Sequence, residues 1–256
     1  MRVKKAHHKK FTVGSYIIIL FAIGIGYFCL TVAGSLATDY IRQSRVTTTT
    51  TQPVEVIDLE AVILETKGKL LQANVFIRLT DGNTATIGSG VIFDQNESFY
   101  YALTNYHVID GYQEQSKTVA TYDLMSSDFD VIKSSELYDL AIIRFPKFNR
   151  AAITPLEFED ELSLGGEFVL SAGNPMGLVG SVTIGTILEY TTIETNLDES
   201  HEAIKHTALI GSGSSGGALV NMYGNLIGIN AWGFNGSYYA IPISIVLNFI
   251  EIPNQL

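Results

Sequence analysis

The chain has 256 residues, of which 46% are hydrophobic, and a formal net charge of −10, a length that allows one or two domains with a buried core. All 26 acidic residues but only 11 of the 16 basic ones lie beyond residue 38, so that part carries −15; a surface this acidic repels phosphate backbones and excludes nucleic acid as a partner. The single cysteine, Cys29, sits in an apolar run, which leaves no disulfide framework. No cluster of His, Cys, Asp and Glu has metal-ligand spacing, so neither a metal nor another cofactor is expected.

Residues 1–12 form a basic tail, with Arg2, Lys4, Lys5, Lys9 and Lys10 and no acid. Residues 11–38 are free of charge, and the stretch 13–37, VGSYIIILFAIGIGYFCLTVAGSLA, is long enough to cross a bilayer as one helix, which takes about 20 apolar residues. Ser35 and Ala37 are small, as a signal peptidase prefers, but the run exceeds the roughly 7 to 15 residues of a signal-peptide core. The expectation is a retained single-pass anchor in the cell membrane, its basic end cytoplasmic and the rest of the chain extracytoplasmic. Residues 38–53, with five consecutive threonines and Pro53, read as a linker, and the folded part spans 54–256.

VEVIDLEAVILETKGKLL predicts a short helix ending near Gly68. Beyond it, segments rich in Val, Ile, Tyr and Phe alternate with turn signals: ANVFIRL, DGN, TATIGSGVIF, DQNES and FYYALTNYHVI, then, past residues 147–165, EFVLSAG, SVTIGTILEY, GGALVNM, YGN, LIGINAW and YYAIPI. Many short strands separated by Gly, Asn and Asp indicate an all-β sandwich or barrel, with two sheets of about six strands. The tail, ISIVLNFIEI, is the only long amphipathic helix.

Residues 211–220, GSGSSGGALV, satisfy three functional patterns at once. A dinucleotide fingerprint must open a helix and be followed about 20 residues later by an acid. Here a hairpin follows, and no acid stands between Ser215 and Glu251. An α/β-hydrolase elbow needs a later histidine, and none follows Ser215. The remaining pattern is the nucleophile loop of a triad in the order His, Asp, Ser. His107 ends a strand-like run, and Asp139 opens the apolar strand DLAIIRF. Taken singly, each is as ordinary as a surface histidine or a turn aspartate, and the specificity lies in their conjunction. His7, His8, His201 and His206 fit no such pattern.

TNYHVI, DLAII, GNPMGL at 173–178, GSSGGALV at 213–220 and LIGINAWG leading to YYAIPI resemble the HtrA/Deg branch of the trypsin-like serine proteases over residues 55–250. That resemblance implies two six-stranded antiparallel β-barrels with the site between them, and His107, Asp139 and Ser215 as base, orienting acid and nucleophile. It also implies an oxyanion loop at Gly213, Ser214 and Ser215. Leu209 and Ile210 would lie at the base of the primary pocket, GNPMGL would border it, and Ile229, Asn230 and Ala231 would form a strand edge for an extended polypeptide substrate. A homotrimer is implied as well. Ser214 and Ala218 stand where the branch usually has Asn and Pro, and the expectation is a protease domain without the branch's frequent PDZ domain.

The functional expectation is a membrane-anchored serine endopeptidase acting on exported, unfolded or damaged proteins. The alternatives are a non-catalytic peptide-binding module on the same fold and a membrane-anchored structural protein.

Overall fold

In NVFIRLT, alternate residues are apolar, and Val75, Ile77 and Leu79 are fully buried while Arg78 faces out; this period of two makes strand β1, Asn74–Thr80. The computed structural model describes residues 58–148, 153–159, 161–194, 200–234 and 236–251. The expected anchor at 13–37 and the linker lie outside the described residues, and among the described residues no helix is long and apolar enough to cross a membrane.

Six further strands complete the first sheet: β2 (Ala85–Gln95), β3 (Phe99–Thr104), β4 (Ser116–Thr121), β5 (Ser126–Asp128), β6 (Asp130–Ser135) and β7 (Leu140–Pro146), in the order β5-β4-β1-β2-β3-β7-β6. The expected turns join them. Asp81 Oδ1 accepts from the N–H groups of Asn83 and Thr84 at 2.8 Å, and Gly82 supplies φ +93°.

The second sheet is a closed barrel of β8 (Phe168–Gly173), β9 (Ser181–Glu194), β10 (Ser200–His206), β11 (Ala218–Asn221), β12 (Leu226–Phe234) and β13 (Ser237–Pro242), in the order β10-β13-β12-β11-β8-β9.

Two closed six-stranded barrels were therefore one too many: the second sheet closes and the first does not. The reason lies at Phe129. Residues 126–128 pair with β4 and residues 130–135 pair with β7, so one bent stretch changes partner at Phe129. No residue pairs on both sides. Phe129 itself is buried, so the chain joins the two sheet edges without a hydrogen-bonded ladder across them.

Helix α1 (Leu59–Ala73) is capped by Asp58, whose side chain accepts from the N–H groups of Glu60 and Ala61. It runs through Gly68 instead of ending there, because no turn conformation is imposed at that residue and the backbone bonds continue to Ala73. The one-turn helix α2 (Tyr106–Ile109) follows β3, and α3 (Ile243–Glu251) closes the fold with Val246 and Phe249 buried. One apolar core continues from the first sheet into α3 and the adjoining faces of β8, β11 and β12, and a smaller one fills the closed barrel.

Candidate active site

His107 stands on α2, and its two successors, Val108 and Ile109, are buried. Anchoring those two residues turns His107 outward, with its side chain 45% exposed. Asp139 closes the Glu136–Asp139 turn just before β7, where its N–H donates to the Glu136 carbonyl at 3.1 Å. It adopts φ +48°, a left-handed conformation that Asp tolerates better than most residues. Its carboxylate accepts from the backbone N–H of His107 at 3.0 Å and lies 2.9 and 3.0 Å from Nδ1. A carboxylate only accepts, so Nδ1 carries the proton and Nε2 is the acceptor nitrogen of the neutral ring. Asn105, fully buried between β3 and α2, donates to the Asp139 carbonyl at 2.9 Å and ties the two segments together.

Ser215 sits in a loop that glycines make possible. Gly213 and Gly216 have φ +94° and +86°. A Cβ at Gly216 would collide with the Ser89 carbonyl and the Thr104 hydroxyl, and one at Gly217 with the Ala172 carbonyl. Around Ser215 most of the backbone groups have a partner. Ser212 O accepts from Met176 N–H at 2.7 Å, Ser214 N–H donates to Gly211 O at 2.8 Å, Ser214 O accepts from Gly217 N–H at 3.0 Å, and Ser215 O accepts from Ser89 N–H at 2.8 Å. Among the described residues the N–H groups of Gly213 and Ser215 have no acceptor. Ser215 Oγ donates to Ala231 O at 3.1 Å.

A pocket of about 380 Å³ opens beside Ser215. Ile210, Ala231, Gly233, Phe234 and Tyr238 contribute to its wall, and among the described residues no charged one lines it.

The family model described as "Trypsin-like peptidase domain" matches residues 88–229, more than half of the chain. The chain belongs to the trypsin-like peptidase family. Among curated relatives, a probable periplasmic serine endoprotease DegP-like from Buchnera aphidicola is 35% identical over 173 residues, 65% of this chain and 36% of that protein. The periplasmic pH-dependent serine endoprotease DegQ of Escherichia coli is 35% identical over 162 residues, 61% of this chain and 34% of its own length. This chain thus spans about a third of the curated relatives it matches. Among solved structures, the HtrA-type protease AlgW with a tripeptide superposes with a TM-score of 0.64 at 29% identity, over 74% of this chain and 62% of that one. The serine endoprotease from Yersinia pestis gives 0.60 at 29% identity, over 74% and 65%. The likeness is to HtrA-type members of the family.

Within this trypsin-like domain, the residues expected at the site are not all where the sequence suggested. His107 and Asp139 are joined directly, and Ser215 shares its pocket with Ile210 and Ala231. Leu209 does not line the pocket: the residue is 62% exposed and its carbonyl accepts from the Thr183 hydroxyl at 2.8 Å. Of the two, only Ile210 lines the pocket.

Ile229 and Asn230 form no edge. Ile229 is paired with Ala218 on one side and Ile241 on the other. Asn230 is buried, and its backbone exchanges bonds with Gly216 and Gly217. The unpaired edge of β12 lies further on, at Trp232–Phe234, where β13 is the only partner among the described residues. Of the three residues expected there, only Ala231 adjoins it. Within GNPMGL, Met176 bonds to Ser212 and Pro175 packs near Gly211, so this loop does border the pocket wall.

Sequence reasoning missed Ser89, Asn105 and Asn174. All three are fully buried polar residues. The only signal was their position at the ends of apolar runs, in IGSGV, ALTN and SAGN, where a polar residue about to be buried needs a partner.

Proposed function

We propose that this protein is a serine endopeptidase in which His107, Asp139 and Ser215 act as a triad. The observation that carries this reading is the pair of backbone N–H groups, Gly213 and Ser215, that lack an acceptor beside the Ser215 hydroxyl. A binding module has no use for unpaired donors at that point, whereas an acyl-transfer site needs them. Donors aimed at a developing oxyanion contribute about 2.7 to 4 kcal/mol each to lowering the barrier.

In this mechanism His107 Nε2 takes the Ser215 proton as Oγ attacks the scissile carbonyl. The imidazolium then delivers that proton to the leaving amine. Asp139, held against Nδ1–H, keeps the ring in this tautomer and stabilises its charged form. The carbonyl oxygen becomes an anion facing the N–H groups of Gly213 and Ser215, with Ser214 shaping the loop between them. Water then attacks the acyl-enzyme with His107 again as base. The substrate backbone lies extended along the free edge at Trp232–Phe234, adding as a strand, and its P1 side chain enters the pocket lined by Ile210, Phe234 and Tyr238.

The same proposal places the peptidase outside the cytoplasm on a single-pass anchor at residues 13–37, supported by the uncharged run and the basic tail before it. Exported, unfolded or damaged polypeptides are the proposed substrates, and a homotrimer the proposed assembly; both rest on the HtrA/Deg resemblance. The experiment is fluorophosphonate labelling of the full chain beside its Ser215→Ala variant. Covalent labelling of the wild type alone supports the reading, and absence of labelling in both refutes it.

A further inference from the structure

Ser89 belongs to β2 of the first sheet, far in sequence from the nucleophile loop, and it is fully buried. Its hydroxyl accepts from Asn174 N–H at 2.8 Å and from Asn174 Nδ2 at 3.0 Å, and donates to Gly213 O at 2.7 Å. A hydroxyl has one proton and two lone pairs. Both lone pairs are taken by N–H donors, so the proton has only the Gly213 carbonyl to go to. The backbone N–H of the same residue holds Ser215 O at 2.8 Å. One residue of the first sheet thus grips the loop on both sides of the nucleophile.

We infer that Ser89 is a positioning residue for the oxyanion site, orienting the Gly213–Ser214 peptide so that the N–H groups on either side of it, those of Gly213 and Ser215, stay turned toward the reacting carbonyl. Gly213 is the weak point of the loop. Its φ of +94° is open to glycine, and a Cβ there would approach Asn174 O to 2.7 Å, so no side chain restrains it. The peptide after it is held by Ser214 N–H to Gly211 O at 2.8 Å and by Ser89 Oγ to Gly213 O. Without the hydroxyl the peptide keeps only one tether and gains freedom about the Gly213 ψ. Asn174 completes the clamp: its Nδ2 also donates to Val75 O at 2.8 Å and its Oδ1 accepts from Asn74 Nδ2 at 2.9 Å, which fixes the donors that aim the Ser89 proton. The oxyanion loop of the second sheet is therefore set from the first, and the two halves are catalytically coupled through a hydroxyl that touches no substrate.

This inference rests on the proposed triad chemistry, and its test separates the two. In the full-length protein, Ser89→Ala should lower kcat for a peptide substrate about five- to tenfold, the range one neutral hydrogen bond commands, with KM unchanged. The inhibition constant of a peptide boronic acid, whose tetrahedral adduct on Ser215 occupies the oxyanion site, should weaken by the same factor. Ser89→Cys, with similar volume and a weaker donor, should fall between, and it carries the comparison should the alanine variant not fold. A lowered melting temperature with kcat and boronate affinity kept at wild-type values would assign Ser89 a structural role and overturn the inference. Equal losses in kcat and in ground-state binding would overturn it too. A wild-type protein that neither cleaves peptides nor takes the fluorophosphonate would instead overturn the triad, and this inference with it.

Discussion

The Ser215 hydroxyl donates to the carbonyl of Ala231, 3.1 Å away, and not to the His107 ring. In the resting site the proposed nucleophile is parked on a neutral bond worth about 1 kcal/mol net, small enough to be given up when substrate arrives. Catalytic hydrogen bonds commonly tighten only in the complex. Replacing Ser215 by Ala removes this one bond and one oxygen, so casein hydrolysis should fall by several orders of magnitude while the thermal midpoint barely moves. Near-wild-type cleavage would show that Ser215 is not the nucleophile.

His206, on β10, is fully buried, and its ring lies 6.1 Å from that of Tyr238 in the pocket wall. Burial pushes its pKa down to about 4, with the nearby Ala208 backbone acting weakly the other way. The unfolded chain takes up this proton near pH ~6.5, whereas the folded one refuses it until about pH 4. Stability contributed by this group is therefore intact above pH ~6.5, lost progressively toward pH ~4, and constant below that, a total of about 3 kcal/mol. Urea unfolding across this window should show the decline in the wild type and a flatter profile in His206→Leu. Parallel profiles would mean that His206 is protonated inside the fold.

The uncharged pocket predicts cleavage after small or medium apolar residues, because burying an unpaired P1 cation is costly. Ile210 faces the pocket and Leu209 does not, so the two make a matched pair. Ile210→Asp should bring in cleavage after Lys and Arg, and Leu209→Asp should leave the P1 profile of a peptide library unchanged. A wild-type profile dominated by basic P1 residues would contradict the pocket.

Two glycines should respond oppositely to alanine. Gly68 lies inside α1 with nothing within 4 Å of an added Cβ, so Gly68→Ala should stabilise the protein by about 0.5 to 1 kcal/mol with kcat unchanged. Gly216→Ala drives a methyl group into Ser89 O and the Thr104 hydroxyl at φ +86°. It should displace the nucleophile loop and abolish peptidase activity even where circular dichroism shows the barrels intact. An active Gly216→Ala enzyme would refute the described loop geometry.

The sequence alone determined the strands, because a buried face repeats every second residue in segments such as NVFIRL, and it determined the turns, because Asp81 and Gly82 carry their geometry locally. It also singled out His107, Asp139 and Ser215, since their order along the chain and the glycines around Ser215 distinguish them from a dinucleotide or hydrolase motif. Tertiary structure decided what depends on which side a neighbour lies. The fold leaves Leu209 exposed and sets Ile210 in the pocket wall, and two-sided pairing buries Ile229 and Asn230 and moves the free edge to Trp232–Phe234. The change of pairing partner at Phe129 leaves the first sheet unclosed. Ser89, Asn105 and Asn174 look in sequence like any polar residue beside a glycine or at a strand end. Their partners lie far along the chain, Asp139 for Asn105 and Gly213 for Ser89, and a buried hydroxyl or amide has a role only once folding has brought those partners within a hydrogen bond's reach.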